Sequence, residues 1–234
     1  MANPKSYSLG PPLSTAEQVA GFCYLPFYVA LLALGLEFLS AHFGWNLTSL
    51  EINICYFVLN TLFVLLIFHN FLLRSLRRIR FWELVQALIL GFVLYYAGNY
   101  ALNLILRLLR ITVSTYNDDT VQALASENFA VMVVCSVILA PLVEETLVRG
   151  LIFGVLRRKS RIAAYAVTIL FFALLHVWQY LLLYDAASVL LAALPYIPAG
   201  IALGWTYEKS DTIWAPILLH MAINAIGFGV MSLT

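Results

Sequence analysis

The chain has 234 residues, of which 63% are hydrophobic and 11% charged, with a net charge of +1; soluble domains run at about 45–50% and about 25%. That balance excludes an ordinary soluble domain, and a near-neutral chain has no field with which to hold nucleic acid. It describes an all-α, polytopic membrane helix bundle whose first partner is the lipid bilayer.

Residues 1–18 are a polar N-terminal segment with Pro4, Pro11 and Pro12. No cleavable signal peptide is expected, because the first apolar run is long enough to span. A spanning helix needs about 20 apolar residues. That ruler marks about seven transmembrane helices, at roughly 19–43, 52–73, 82–106, 128–156, 161–183, 187–207 and 212–232. The first three, with the polar stretch that follows, form an N-terminal part over 19–127 of a single membrane domain. That stretch, Tyr116 to Asn128, predicts a short interfacial helix capped by Asp119 or Thr120. Asn99 and Asn103, four apart in the third span, read as hydrogen-bond partners between helices. Cys23, Cys55 and Cys135 lie in apolar runs without zinc or CxxC spacing and read as small core residues.

Cytoplasmic loops collect Lys and Arg. An N-terminus inside places Lys5, Arg74, Arg77, Arg78, Arg80, Arg157, Arg158, Lys159, Arg161 and Lys209 in the cytoplasm and leaves Arg107 and Arg110 outside. The expectation is a multi-pass protein of the cell membrane with a cytoplasmic N-terminus.

The polar groups that matter fall in residues 128–234. The fourth span carries Pro141-Leu-Val-Glu144-Glu145-Thr-Leu-Val-Arg149-Gly150. An ionisable group at bilayer depth costs about 2.5–3.5 kcal/mol on insertion scales, so such groups are paired or functional. Glu145 and Arg149 are four apart, acid before base, and neutralise each other on one helix face. Glu144 lies about 100° round the helix, and its own i+4 position is Val148, which leaves it the spare carboxylate. The fifth span carries Phe172-Ala-Leu-Leu-His176 and the seventh His220-Met-Ala-Ile-Asn224. In the sixth, Gly200 and Gly204 make a small-xxx-small face for close helix approach, while Pro195 and Pro198 invite a kink. At about 1.5 Å per residue, Glu144 lies about 20 Å from Arg157, His176 about 22 Å from Arg161 and Asn224 about 20 Å from Asp211. Groups from three helices therefore share one depth.

A buried carboxylate beside an imidazole is a general-base pair for water. A second imidazole and a carboxamide on one helix face supply two donors for an oxyanion. The set suits peptide-bond hydrolysis without a covalent intermediate, and it calls for no cofactor and no metal. There is no GxSxG elbow, no HExxH helix, and Asp118, Asp119, Asp185 and Asp211 all fall in loops. Two other readings stay open: a zinc held by Glu144, His176 and His220, and a polar knot that only ties helices together.

Glu144-Glu145-Thr-Leu-Val-Arg149, Phe172 to His176 and His220 to Asn224 resemble the EExxxR, FxxxH and HxxxN motifs of the CPBP family of membrane proteins. That family comprises CAAX prenyl endopeptidases of the Ras-converting type, bacteriocin-processing and self-immunity proteins, and abortive-infection-like proteins. The segment from Gly200 to Pro216 is also similar, and the resemblance covers roughly residues 131–228 in motif order and spacing. It implies an intramembrane glutamic protease in which Glu144 and His176 activate water and His220 and Asn224 form the oxyanion hole. Glu145, Arg149 and Phe172 become supporting residues, with Gly200 and Gly204 packing nearby. The implied partner is a membrane-associated, lipidated or precursor peptide entering a cavity open to the cytoplasm. The family's other outcome is a protein that acts by binding a membrane-protein partner, as a scaffold or an immunity protein.

Overall fold

The computed structural model describes residues 9–232; Lys5, used in the charge count above, lies outside the described residues. The helices are α1 (Thr15–His42), α2 (Ser49–Leu76), α3 (Phe81–Leu108), α4 (Tyr116–Glu127), α5 (Phe129–Arg157), α6 (Arg161–Leu175), α7 (Ala186–Ala192), α8 (Tyr196–Ser210) and α9 (Trp214–Met231). Among the described residues α1, α2, α3, α5 and α9 are long and apolar enough to cross a membrane, and α7 with α8 makes a sixth span bent by 43°. Their outward faces carry exposed Leu66, Leu90, Tyr100 and Ile138, the surface expected where lipid, rather than water, is the solvent.

Local chemistry sets the ends. Ser14 with Glu17 opens α1, and Thr48 with Glu51 opens α2, each by a reciprocal capping box. The interfacial helix is present as α4, but its N-cap is Thr115 rather than Asp119 or Thr120; Thr115 Oγ1 instead donates to the Asp119 carboxylate. Asn99 and Asn103 bond to carbonyls of their own helix, at Tyr95 and Asn99, so they do not bridge helices. Of the three cysteines only Cys135 is buried, and Cys23 is exposed.

The expected fifth span is the main departure. Instead of a helix over 161–183, α6 ends at Leu175 with His176 as its C-cap, followed by a 3-10 turn over Trp178–Leu182. Fifteen residues reach about 22 Å, short of a hydrocarbon core about 30 Å thick. Irregular backbone is tolerated at that depth where it is buried in protein or lines a cavity, and Val177, Ala192, Pro195 and Tyr196 all line one.

Helix α8 sits between α3 and α6, and α9 packs on α3, α5 and α8. A Cβ at Gly200 would stand 3.2 Å from the Ile169 Cα of α6, and one at Gly91 of α3 would stand 2.1 Å from Thr206 Oγ1 of α8. Glycine on both sides is what lets the three helices close up.

The two ends of the bundle differ. At the end of the turns joining α2 to α3, α5 to α6 and α8 to α9, Arg74 pairs with Glu17 at 3.1 Å and Arg78 with Asp211 at 2.8 Å. Glu208 there takes Arg157, Arg161 and the Tyr165 hydroxyl. Gly10 N–H donates to Asp211, so the segment before α1 lies across this basic end. At the other end α4 is held by Tyr116, which stacks on Tyr184 at 4.2 Å, and by a 2.6 Å hydrogen bond between the Thr120 and Tyr180 hydroxyls.

Candidate functional site

The polar centre is built on α5, which is not a regular helix. Residues Val134–Leu139 and Thr146–Phe153 form π turns, with Ala140–Glu145 as α-helix between them. Wide turns rotate the side chains that follow and free carbonyls. The carbonyl of Ser136 is used: Asn224 Nδ2 of α9 donates to it at 2.8 Å.

Glu145 and Arg149 form the expected pair, Nη1 to Oε1 at 3.0 Å, with both side chains 0% exposed. Arg149 Nη2 also donates to the Gly200 carbonyl at 3.4 Å, and its guanidinium lies 4.4 Å over the Phe172 ring. The close approach at Gly200 thus brings a carbonyl within reach of the arginine, and the aromatic face adds a cation–π contact. His220 joins this group, its Nδ1 lying 2.9 Å from the same Glu145 Oε1. A carboxylate oxygen accepts, so Nδ1 carries the hydrogen and Nε2 is left facing away from Glu145.

Glu144 stands apart, as the spacing requires. Its Oε2 is buried without a hydrogen-bond partner in the protein and lies 3.9 Å from His176 Nε2. His176 Nδ1 is 2.8 Å from the Phe172 carbonyl, which can only accept. That bond places the proton on Nδ1 and leaves a lone pair on Nε2, turned toward Glu144. A gap of 3.9 Å is too long for a direct hydrogen bond and suits one bridging water at about 2.8 Å from each atom. The four-residue spacing from Phe172 to His176 is therefore the helix-capping bond that sets the tautomer.

The structure brings Glu144 to His176 and His220 to Glu145, and it lays Phe172 against both imidazoles, at centroid distances of 4.7 and 5.6 Å. Asn224 lines the same cavity with one amide hydrogen committed to Ser136. Glu144, His176 and His220 do not form a metal cage: among the described residues no three His, Cys, Asp or Glu side chains converge as one. Tyr196 escaped the sequence reading. It stacks on His176 at 4.2 Å with an interplanar angle of 22°, and its only sequence signal was its place between Pro195 and Pro198.

Glu144, His176, His220 and Asn224 share a cavity of about 610 Å³. Its wall runs to Ser114–Gln122 at the start of α4 and to Gly227–Met231 at the end of α9, away from the basic turns. A cytoplasmic opening and a cytoplasmic basic end, both expected above, thus exclude each other.

Residues 126–226 match the family model described as type II CAAX prenyl endopeptidase Rce1-like. No curated protein and no solved structure matches the chain.

Proposed function

We propose, from the membership of residues 126–226 in the Rce1-like family of type II CAAX prenyl endopeptidases, that Glu144 and His176 activate the water that cuts a membrane-associated peptide. Family membership makes the chain a CAAX-type membrane protease, hence a hydrolase, and its long apolar helices make it a multi-pass membrane protein. The observation that carries the finer reading is the buried, unpartnered Glu144 Oε2 facing the free nitrogen of His176 at 3.9 Å.

In this mechanism a water between the two groups loses a proton to Glu144 while its oxygen attacks the scissile carbonyl. His176 Nε2 holds the water in line, its ring fixed by the Phe172 carbonyl and the Tyr196 stack. The tetrahedral oxyanion takes hydrogens from the second Asn224 amide hydrogen and from His220 Nε2. With Nδ1 donated to Glu145, His220 serves as that donor in its doubly protonated form, and the Glu145 carboxylate faces the added charge. Glu144 then passes its proton to the leaving amine, and no covalent intermediate forms.

The excess of Lys and Arg at the turns of the basic end supports a cytoplasmic N-terminus. The cavity then faces the outer side of the membrane.

The test is cleavage of membrane-anchored peptides by the wild type, Glu144→Ala and His176→Ala in lipid nanodiscs, with mass spectrometry to locate the cut. Each variant is expected to lose about 10²- to 10⁴-fold in rate while keeping the wild-type unfolding temperature. Wild-type rates in either would remove that residue from the mechanism.

A further inference from the structure

The hydroxyl of Ser136 is left over by the fold. Ser136, Ala140 and Glu144 follow one another at four-residue intervals along α5, and all three line the cavity. Thr146, Thr168 and Ser210 each donate their hydroxyl to the carbonyl four residues back, at 2.7, 2.6 and 2.8 Å. Ser136 does not. Among the described residues its Oγ has no hydrogen-bond partner, although its carbonyl accepts the Asn224 amide at 2.8 Å. A hydroxyl that its own helix could satisfy, and that instead opens half-buried onto a cavity, can both donate to and accept from whatever fills that cavity.

The helix sets its direction. Each Cα–Cβ bond tilts toward the N-terminus of its helix, and α5 starts at the mouth end, where Phe129 packs on Phe228 at 5.8 Å. The Ser136 hydroxyl therefore leans away from Glu144, to the mouth side of the amide that Asn224 aims at the oxyanion. The α9 wall there is bare: Gly227, one turn beyond Asn224, lines the cavity, and a Cβ on it would meet nothing within 4 Å. An unpartnered hydroxyl beside an unfilled strip fits an extended peptide backbone, which presents a carbonyl and an N–H at every residue, ~3.3 Å apart.

We infer that Ser136 is a further substrate-binding residue, whose hydroxyl hydrogen-bonds the peptide backbone about one residue from the scissile carbonyl, on the mouth side. It lies outside the EExxxR, FxxxH and HxxxN motifs. The inference rests on Asn224 and His220 holding the oxyanion.

The probes are a prenylated, membrane-anchored peptide and copies in which one backbone amide at a time is replaced by an ester, which deletes one N–H and weakens the carbonyl before it. Cleavage by the wild type, Ser136→Ala and Ser136→Thr is read in nanodiscs, and binding of the same peptides is read on the Glu144→Gln protein with and without Ser136→Ala. Ser136→Ala removes the hydroxyl and keeps the carbonyl that Asn224 uses. It is expected to raise KM about three- to tenfold with kcat retained, and Ser136→Thr should restore the wild-type KM. An ester beside the scissile bond should raise KM in the wild type but not in Ser136→Ala, a non-additivity that a serine with only a structural role does not produce. An unchanged KM in Ser136→Ala, or ester penalties identical in the two proteins, overturns the assignment while the protease reading stands. If nothing is cut, an ester penalty on binding that Ser136→Ala abolishes upholds Ser136 as a binding residue and sinks the hydrolytic reading; binding indifferent to the esters overturns the assignment as well. Should Ser136→Ala fail to fold, the near-isosteric Ser136→Cys, a weak donor, takes its place.

Discussion

Two adjacent glutamates have opposite fates because successive helix positions point about 100° apart. Glu145 turns into protein and meets Arg149 and His220; Glu144 turns into the cavity and meets His176. Arg149→Ala is expected to destabilise the protein by about 3–5 kcal/mol, since it leaves Glu145 buried without its cation. Thermal unfolding in detergent checks this, and an unchanged midpoint would mean that the pair contributes nothing. Asp118 gives a second residue-scale prediction. Partial burial, and then the neighbouring Asp119, hold its carboxyl above the ordinary range, offset by Tyr196 and Asn117. An acid raised on folding disfavours the fold when ionised, so its cost is present above the folded pKa and is relieved as pH falls through it. The unfolding temperature of the wild type should therefore lie below that of Asp118→Asn at neutral pH, and the gap should shrink as pH falls through that pKa, which lies above the ordinary value of about 3.9. Of the groups facing it from α3, α4 and α8, namely Tyr95, Asp119 and Tyr196, only Asp119 is a carboxylic acid. A gap that stays the same at every pH would mean that folding does not raise the Asp118 carboxyl.

Among the elements, the irregular ones make the site. The two π turns of α5 free the Ser136 carbonyl for Asn224 and set the turn that holds Glu144 and Glu145. α6 stops at Leu175, which makes His176 its C-cap, and the bend between α7 and α8 brings Tyr196 onto His176. Helix α8 is where a small change should cost most. Gly200→Val adds branches where a Cβ alone already stands 3.2 Å from backbone, and overpacking of this kind costs about 1–3 kcal/mol. It also pushes the Gly200 carbonyl off Arg149, so activity should fall along with the unfolding temperature. Gly227→Ala is the control, because nothing lies within 4 Å of a Cβ there. Equal stability of the two variants would show that the α6–α8 contact is slack.

For the whole molecule the prediction concerns the side of the membrane that the cavity faces. The basic end is closed by Arg74 with Glu17, Arg78 with Asp211, and Glu208 with Arg157 and Arg161, while the cavity wall extends toward α4. With a cytoplasmic basic end, single cysteines placed at Asn117 or Gln122 should react with a membrane-impermeant maleimide in intact cells, and one placed at Lys159 only after lysis. The reverse pattern would turn the protein over and make the cavity cytoplasmic. Gln122 and Lys159 are exposed and Asn117 is half-buried, and none of the three touches the Glu145–Arg149 pair or the Glu144–His176 gap.

What the amino-acid sequence determined by itself is what helix periodicity and hydropathy encode: most of the apolar spans, though not the fifth, the Glu145–Arg149 pair, and the spare carboxylate at Glu144. The His176 tautomer was not among these, because the expected span ran on to 183 and only the helix end at Leu175 makes His176 a cap. Only the tertiary structure decided which groups meet across helices. His220 lies on Glu145, Asn224 on Ser136, and Tyr196 on His176. Such contacts depend on the rotation and approach of separate helices, and π turns and glycine contacts reset both by amounts that no residue spacing records. The side of the bundle on which the cavity lies was hidden for the same reason, because it follows from where α6 stops and α4 docks rather than from the composition of either.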